Sequence, residues 1–257
     1  MIPKTIHYCW FGGKPLPELA LKCIESWKKF CSGCEIVRWD ESNFDVDSCA
    51  YVREAYDAKK YAFVSDYARL KVLVENGGVY MDTDVEVIKP LDKFMSEQAF
   101  SGFEDESTIH TGIMACEKGF ALFADLLREY DTRHFILSGG SFDLMTNVTA
   151  ITNYCSLRGF IPNNTKQTIN GFTLYPKDYF CPKSPLTLKI KMTENTCTYT
   201  SFCRLMVNPL GKIQAEYKAY LRLQAHREDN GSQKFLQENH RPPKILSPTT
   251  ENRISGA

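Results

Sequence analysis

The 257-residue chain predicts an α/β fold, one sheet with helices packed against it. Three observations carry that expectation. The first forty residues run strand, helix, strand; a long apolar helix then ends on a glycine pair that introduces another strand; and 43% of the residues are hydrophobic, enough for one core of ordinary size.

The elements follow in order. "IPKTIHYCWFGG" alternates Ile2, Ile6, Tyr8 and Trp10 with polar residues and runs into two glycines, as a first strand entering a loop does. From Pro17, Leu19, Cys23, Trp27 and Phe30 recur at helical spacing, and "EIVRWD" is a second strand. "DSCAYVREAYDAKK" and "AFVSDYARLKVLVENGG" read as two helices, the second stopped by Gly77 and Gly78. "VYMDTDVEVI" and "AFSGFE" are strand-like, and residues 116–155 are expected to be mainly helical, "EKGFALFADLLREY" most clearly. No internal repeat is visible. From Arg227 on, the chain is polar, proline-bearing and poor in aromatics, and is read as a disordered tail.

Composition excludes several classes of function. The formal net charge is zero and no window clusters Lys and Arg among aromatics, so nucleic acid is not an expected partner. The first residues lack the basic and apolar segments of a leader, and no run of about 18 apolar residues could span a bilayer; the expected location is the cytoplasm, at the inner face of the membrane. Of ten cysteines only Cys31 and Cys34 have C-x-x-C spacing, without a second ligand pair, so reduced, buried thiols are expected rather than a zinc or redox centre.

The chemistry lies in "GGVYMDTDVE", residues 77–86. Alternate residues of a strand share a face, so Asp82 and Asp84 are expected to point the same way. Two carboxylates so placed suit a hard divalent cation, Mg²⁺ or Mn²⁺, whose open positions take water and phosphate oxygens. The bland alternative is a pair of acids in an exposed turn. Upstream, Asp66 and Arg69 stand at i, i+3 on one helix; taken alone they are a surface ion pair.

The set "IPKTIHYCWFGG … SDYARLKVLVENGGVYMDTDVEVIKPL" resembles the family 32 glycosyltransferases, DXD-motif sugar transferases that include bacterial capsular-polysaccharide enzymes and fungal mannosyltransferases. More distantly it resembles the glucosyltransferase domains of the large clostridial toxins. The resemblance implies a GT-A fold over residues 1–200 with the D-x-D at the end of a central strand. It implies a metal-dependent, retaining transfer of a sugar from a UDP- or GDP-sugar to an oligosaccharide or lipid-linked glycan, in surface-polysaccharide synthesis and with peripheral membrane association. Carried over by residue, Trp10 matches the tryptophan that stacks on the donor's base, against a bland reading as core packing. Asp66 and Arg69 match the pair that orients the donor sugar. Tyr80 lies where a tyrosine approaches the diphosphate, and Asp82 and Asp84 match the Mn²⁺ or Mg²⁺ pair, with Asp84 the direct ligand.

Two rival readings stay open. "VYMDTDVE" also fits a haloacid-dehalogenase-like phosphatase, with "FEDE" at 103–106 imitating its distant acids, but the spacing is wrong and Asp66, Arg69 and Trp10 have no part in it. The other is an inactive nucleotide-sugar-binding protein, and the C-terminus gives the reason. Relatives continue past a strand like "NTCTYT" into a segment with histidines and a Ser-Trp pair, which this chain lacks. Met206 has the single codon ATG and Val207 begins with G, so a reading one base later places tryptophan there. Residues 201–257 are therefore expected to be a divergent tail produced by a frameshift after Thr200. His110 and the loop "GGSFDLMTN" are secondary candidates: His110 for the donor phosphate or the acceptor, or as hydrogen-bonded structure alone, and the loop for the acceptor side.

Overall fold

A computed structural model describes residues 1–183 and 189–200. The expected disordered tail and frameshifted segment lie outside the described residues. Strands β1 (Thr5–Cys9), β2 (Glu35–Trp39), β3 (Gly78–Met81), β4 (Val85–Val87), β5 (Ala99–Gly102), β6 (Ile113–Cys116), β7 (Gln167–Ile169), β8 (Phe172–Tyr175) and β9 (Thr198–Thr200) alternate with helices α1 (Glu18–Phe30), α2 (Ala50–Asp57), α3 (Tyr61–Asn76), α4 (Ala121–Arg128) and α5 (Asn147–Ser156). Seven strands form one mixed sheet in the order β2-β1-β3-β6-β5-β8-β7, and β4 pairs with β9 apart from it. The α/β class expected from the sequence is present.

The first crossover works as its pattern predicts. α1 buries Ala20, Cys23, Ile24 and Trp27 along one stripe and returns the chain so that β2 pairs parallel to β1. The interior strands separate two apolar layers residue by residue. On β3, Val79 and Met81 enter one layer and Tyr80 the other; on β6, Ile113 and Ala115 face the first, Met114 and Cys116 the second. A sheet covered on both faces needs such near-continuous apolar strands.

Helix α3 is buried on more than one side, including Val64, Asp66, Tyr67, Arg69, Leu70 and Leu73. It stops at Gly77, with φ of 69°, and Gly78 follows with φ of 101°. A Cβ on Gly78 would stand 2.6 Å from the Thr5 carbonyl oxygen, so only glycine lets β3 enter the sheet this close to β1.

Two expectations need correction. "VYMDTDVEVI" is not one strand: β3 ends at Met81, Asp82-Thr83-Asp84 form a turn closed by the Val85 N–H donating to the Asp82 carbonyl at 3.0 Å, and β4 leaves for β9. Turn-favouring Asp and Thr residues outcompeted the period-2 pattern here. The stretch 116–155 is helical only over α4, one 3₁₀ turn and α5, with a hairpin between them joined at Ile136 and Phe142. Gly139 and Gly140 sit at its tip and favour a turn over a helix. No disulfide joins the nine described cysteines, and Cys31 and Cys34 lie just past the end of α1. Among the described residues no helix is long and apolar enough to cross a membrane.

Candidate functional site

The site forms where parallel neighbours β1 and β3 both end. Ile6 is in register with Val79 and His7 with Tyr80, so Trp10, just past β1, stands level with the Asp82–Asp84 turn just past β3. The carboxyl edge of such strands is where open α/β sheets bind ligands, because the loops diverge there and leave a crevice.

Arg69 is the centre of the buried part. Its Nη2 lies 3.2 Å from Asp66 Oδ1 and 3.2 Å from Asp82 Oδ1, and its Nη1 donates to the Thr111 carbonyl at 2.7 Å. The guanidinium also lies 4.6 Å from the centre of the Tyr80 ring. The side chains of Asp66 and Arg69 are only 12% and 7% exposed, which rules out the surface-pair alternative. α3 brings the pair together at i, i+3, but only β3 and the strand β6 beside it supply Asp82 and the Thr111 carbonyl. Burial opposes the charge on Arg69, and the surrounding Asp82, Tyr80 and Asp66 groups outweigh it, so the side chain stays protonated.

Asp66 has a second partner that the sequence did not reveal. Its Oδ2 accepts the Asn147 backbone N–H at 3.1 Å, and the Asn147 side-chain amide donates to the Asp66 carbonyl at 2.6 Å. Burial raises the Asp66 pKa, while Arg69 and this N–H pull it down. Asn147 lies eighty-one positions away along the chain. The sequence offered it only as the end of the loop "GGSFDLMTN", and no local signal ties it to Asp66.

The D-x-D carboxylates differ in their surroundings. Tyr80 donates its hydroxyl to Asp82 Oδ1 at 2.9 Å, so that oxygen is shared between Tyr80 and Arg69. Asp84 is pushed up to about 7, first by burial and next by the charge of Asp82, and it forms no ion pair within 4 Å among the described residues. Glu104, on the loop after β5, is also raised to about 7 by burial and by Asp105 and Asp82. Among the described residues the carboxyl groups of Asp66, Asp82, Asp84 and Glu104 outnumber the cations that act on them, Arg69, Lys183 and, on Asp66, Arg133, and an added cation suits the site. Asp84 and the outer oxygen of Asp82 are the atoms left to hold it. Among the described residues no three His, Cys, Asp or Glu groups converge as a metal-holding cluster.

His110 also faces this region. It is buried, its Nε2 has no hydrogen-bond partner among the described residues, and burial followed by the charge of Arg69 lowers its pKa to about 4, so it is neutral at pH 7. A Cβ on Gly112 would stand 2.9 Å from that Nε2 and 3.4 Å from Asp82 Oδ2, so glycine at 112 lets the imidazole lie beside the carboxylate. Trp10 is half-buried, with its Nε1 donating to the Lys14 carbonyl at 2.6 Å. The structure therefore gathers Asp66, Arg69, Tyr80, Asp82 and Asp84 into one cluster and puts Trp10 on the same edge. Sequence reasoning missed Gly112, and it met Asn147 only as the end of the acceptor-side loop "GGSFDLMTN" and Glu104 only within the phosphatase-like "FEDE".

Comparison with known proteins meets the same stretch of chain. Residues 17–101 match the family model described as "Glycosyltransferase sugar-binding region containing DXD motif". The "Uncharacterized glycosyltransferase L373" of Acanthamoeba polyphaga mimivirus is 33% identical over 105 residues, 37% of this chain and 40% of that protein. The "Inositol phosphoceramide mannosyltransferase 3" of Schizosaccharomyces pombe is 28% identical over 131 residues, 49% of this chain and 36% of that one. The chain thus spans no more than 40% of the length of either relative. Among solved structures, "PaToxG Glycosyltransferase" is 18% identical with a TM-score of 0.45, over 61% of this chain and 68% of that chain. The matched region runs from just before α1 into β5 and includes the D-x-D turn.

Proposed function

We propose that this protein is a metal-dependent glycosyltransferase that moves a sugar from a UDP- or GDP-sugar to a glycan acceptor with retention of anomeric configuration. The observation that carries the reading is the division of labour among three acids. Asp66 and one oxygen of Asp82 are tied to buried Arg69, while Asp84 forms no ion pair within 4 Å among the described residues and feels Arg69 and Lys183 only through their charge. A divalent cation held by Asp84 and the outer oxygen of Asp82 would offset the negative charge that builds on the leaving diphosphate. The residues of the chain then do the positioning. Arg69 and Tyr80 fix the Asp82 carboxylate, the Asn147 N–H fixes Asp66 for the sugar, and Trp10 offers its exposed face to the base. Asp82 Oδ1 is covered by Arg69 and Tyr80, which speaks against this acid as a phosphatase nucleophile.

Mn²⁺ or Mg²⁺ is the expected cation, and surface-polysaccharide synthesis the expected setting. The test is donor hydrolysis over a panel of UDP- and GDP-sugars. Turnover is expected only with Mn²⁺ or Mg²⁺ and is expected to vanish in Asp84→Asn while the thermal transition persists. Turnover in excess EDTA would overturn the reading, whereas tight nucleotide binding without turnover in any condition would favour an inactive binding protein.

A further inference from the structure

Large exposed apolar side chains concentrate in one place among the described residues. Between residues 136 and 144, Ile136, Leu137, Phe142 and Leu144 are 43%, 45%, 38% and 48% exposed. They belong to the hairpin between α4 and α5. Ile136 bridges Phe142, the Leu137 N–H donates to the Ser141 carbonyl at 2.9 Å, and the Gly140 N–H returns to the Leu137 carbonyl at 2.8 Å. A Cβ on Gly139 or Gly140 would meet nothing within 4 Å, so the tip projects from the body of the protein.

The base of the hairpin is fastened down. Arg133 pairs with Asp143 at 2.8 Å and lies over the rings of Tyr51 and Tyr130, at 4.7 and 4.6 Å from their centres. The Ile136 N–H donates to Glu54 at 2.8 Å, and Phe135 is buried against Tyr51 and Phe63. Phe142 lies on the buried Phe135 ring, with centres 4.9 Å apart, while Ile136, Leu137 and Leu144 are held outward beyond this base. Two lysines flank them. Lys60 Nζ is 5.4 Å from the centre of the Phe142 ring, Lys59 precedes it, and neither has an ion-pair partner among the described residues. Arg133 is paired with Asp143, and Glu54 is hydrogen-bonded to His134 and the Ile136 N–H, which leaves Lys59 and Lys60 as cations beside the hairpin without an ion-pair partner among the described residues.

We propose that the 134–145 hairpin anchors the protein to an anionic lipid bilayer, with Ile136, Leu137 and Leu144 entering the boundary between headgroups and acyl chains and Lys59 and Lys60 meeting lipid phosphates. A projecting tip with four half-exposed side chains falls well short of the roughly 800 Å² per partner that a stable protein interface buries. A bilayer needs no shape complementarity, and its anionic headgroups answer the two lysines. The hairpin leads straight into α5, whose first residue, Asn147, holds Asp66. A docked hairpin thus sets the D-x-D site at the lipid surface, where a lipid-linked glycan presents its sugars. That last step rests on the glycosyltransferase reading; the membrane binding does not.

The experiment is co-sedimentation of the full chain with vesicles of phosphatidylcholine alone and of phosphatidylcholine with phosphatidylserine, at low and high salt. Binding is expected only to the phosphatidylserine vesicles, and weaker in salt. Lys59→Gln and Lys60→Gln are each expected to reduce it about five-fold. Leu137→Ser with Leu144→Ser is expected to reduce it at least about ten-fold, with an unchanged thermal transition because both side chains are exposed. No preference for anionic vesicles overturns the proposal, as does binding that both sets of variants leave intact. Self-association of the wild type that Leu137→Ser relieves, without vesicle binding, overturns it in favour of a second copy. Metal-dependent donor hydrolysis without vesicles is read in parallel, so a chain that hydrolyses the donor but ignores vesicles loses this proposal alone.

Discussion

Replacing Glu104 by Gln is expected to stabilise the protein, and to do so only above mildly acidic pH. The Glu104 carboxyl titrates near 7 in the folded chain against an ordinary 4.5, because burial and the neighbouring Asp105 and Asp82 charges all oppose its ionisation. At pH 4 the folded and unfolded chains both hold this proton, so the substitution changes little. Between 4.5 and 7 the unfolded chain releases the proton while the folded chain keeps it, and stability drains away as pH rises. Above 7 both states are ionised, and the folded one bears the whole cost of a charge without a countercharge. A shift of that size sets a ceiling of about 3 kcal/mol. Glu104 keeps part of its surface in water, so about 2 kcal/mol at pH 8 is expected. For a domain of this size that raises the thermal midpoint by roughly 4–8 °C. The assay is thermal or urea unfolding of wild type and Glu104→Gln at pH 4, 6 and 8. A variant less stable than wild type at pH 8, or one whose advantage is the same at all three pH values, refutes the reasoning.

Removal of Arg69 is a stability experiment as much as a catalytic one. Arg69→Ala leaves Asp66 and Asp82 without their countercharge and is expected to cost about 3–5 kcal/mol in urea unfolding, while Asp66→Asn keeps the fold but lowers donor turnover more than affinity for the free nucleoside diphosphate. An equal loss of nucleotide affinity in Asp66→Asn would move that residue away from the sugar. Trp10 fluorescence is expected to quench with the cognate nucleoside diphosphate, over an unchanging background from Trp27, whose Nε1 is bonded to the Val85 carbonyl, and Trp39, bonded to His7. Trp10→Ala is expected to weaken that binding by about 1–3 kcal/mol, and no quench with UDP or GDP would remove the assignment. For residues 201–257, sequencing the gene tests the proposed frameshift after Thr200: nucleotides that spell a Ser-Trp segment one base later support it, with transfer expected to rise in a frame-restored chain, and nucleotides that cannot spell it end the proposal.

The sequence by itself determined what local patterns encode. The 3.6-residue spacing of Cys23, Trp27 and Phe30, the glycine pair after α3 and the apolar run into Asp82 each act within a few residues, so β1, α1, β2, α3 and β3 could be read directly, as could the i, i+3 pairing of Asp66 with Arg69. Tertiary structure decided what the same residues mean. Asp66–Arg69 has the spacing of an exposed pair, and only the packing of α3 against the sheet buries it beside Asp82. Asp82 and Asp84 follow an apolar strand, yet their relation comes from a turn that forms because β4 must leave to pair with β9, more than a hundred residues later. Asn147 enters the site from α5, and Gly112, His110 and Glu104 from the segment between β5 and β6. Their one-dimensional surroundings are ordinary, and their burial, pKa and partners exist only once loops distant in sequence are closed onto the carboxyl edge of β1 and β3.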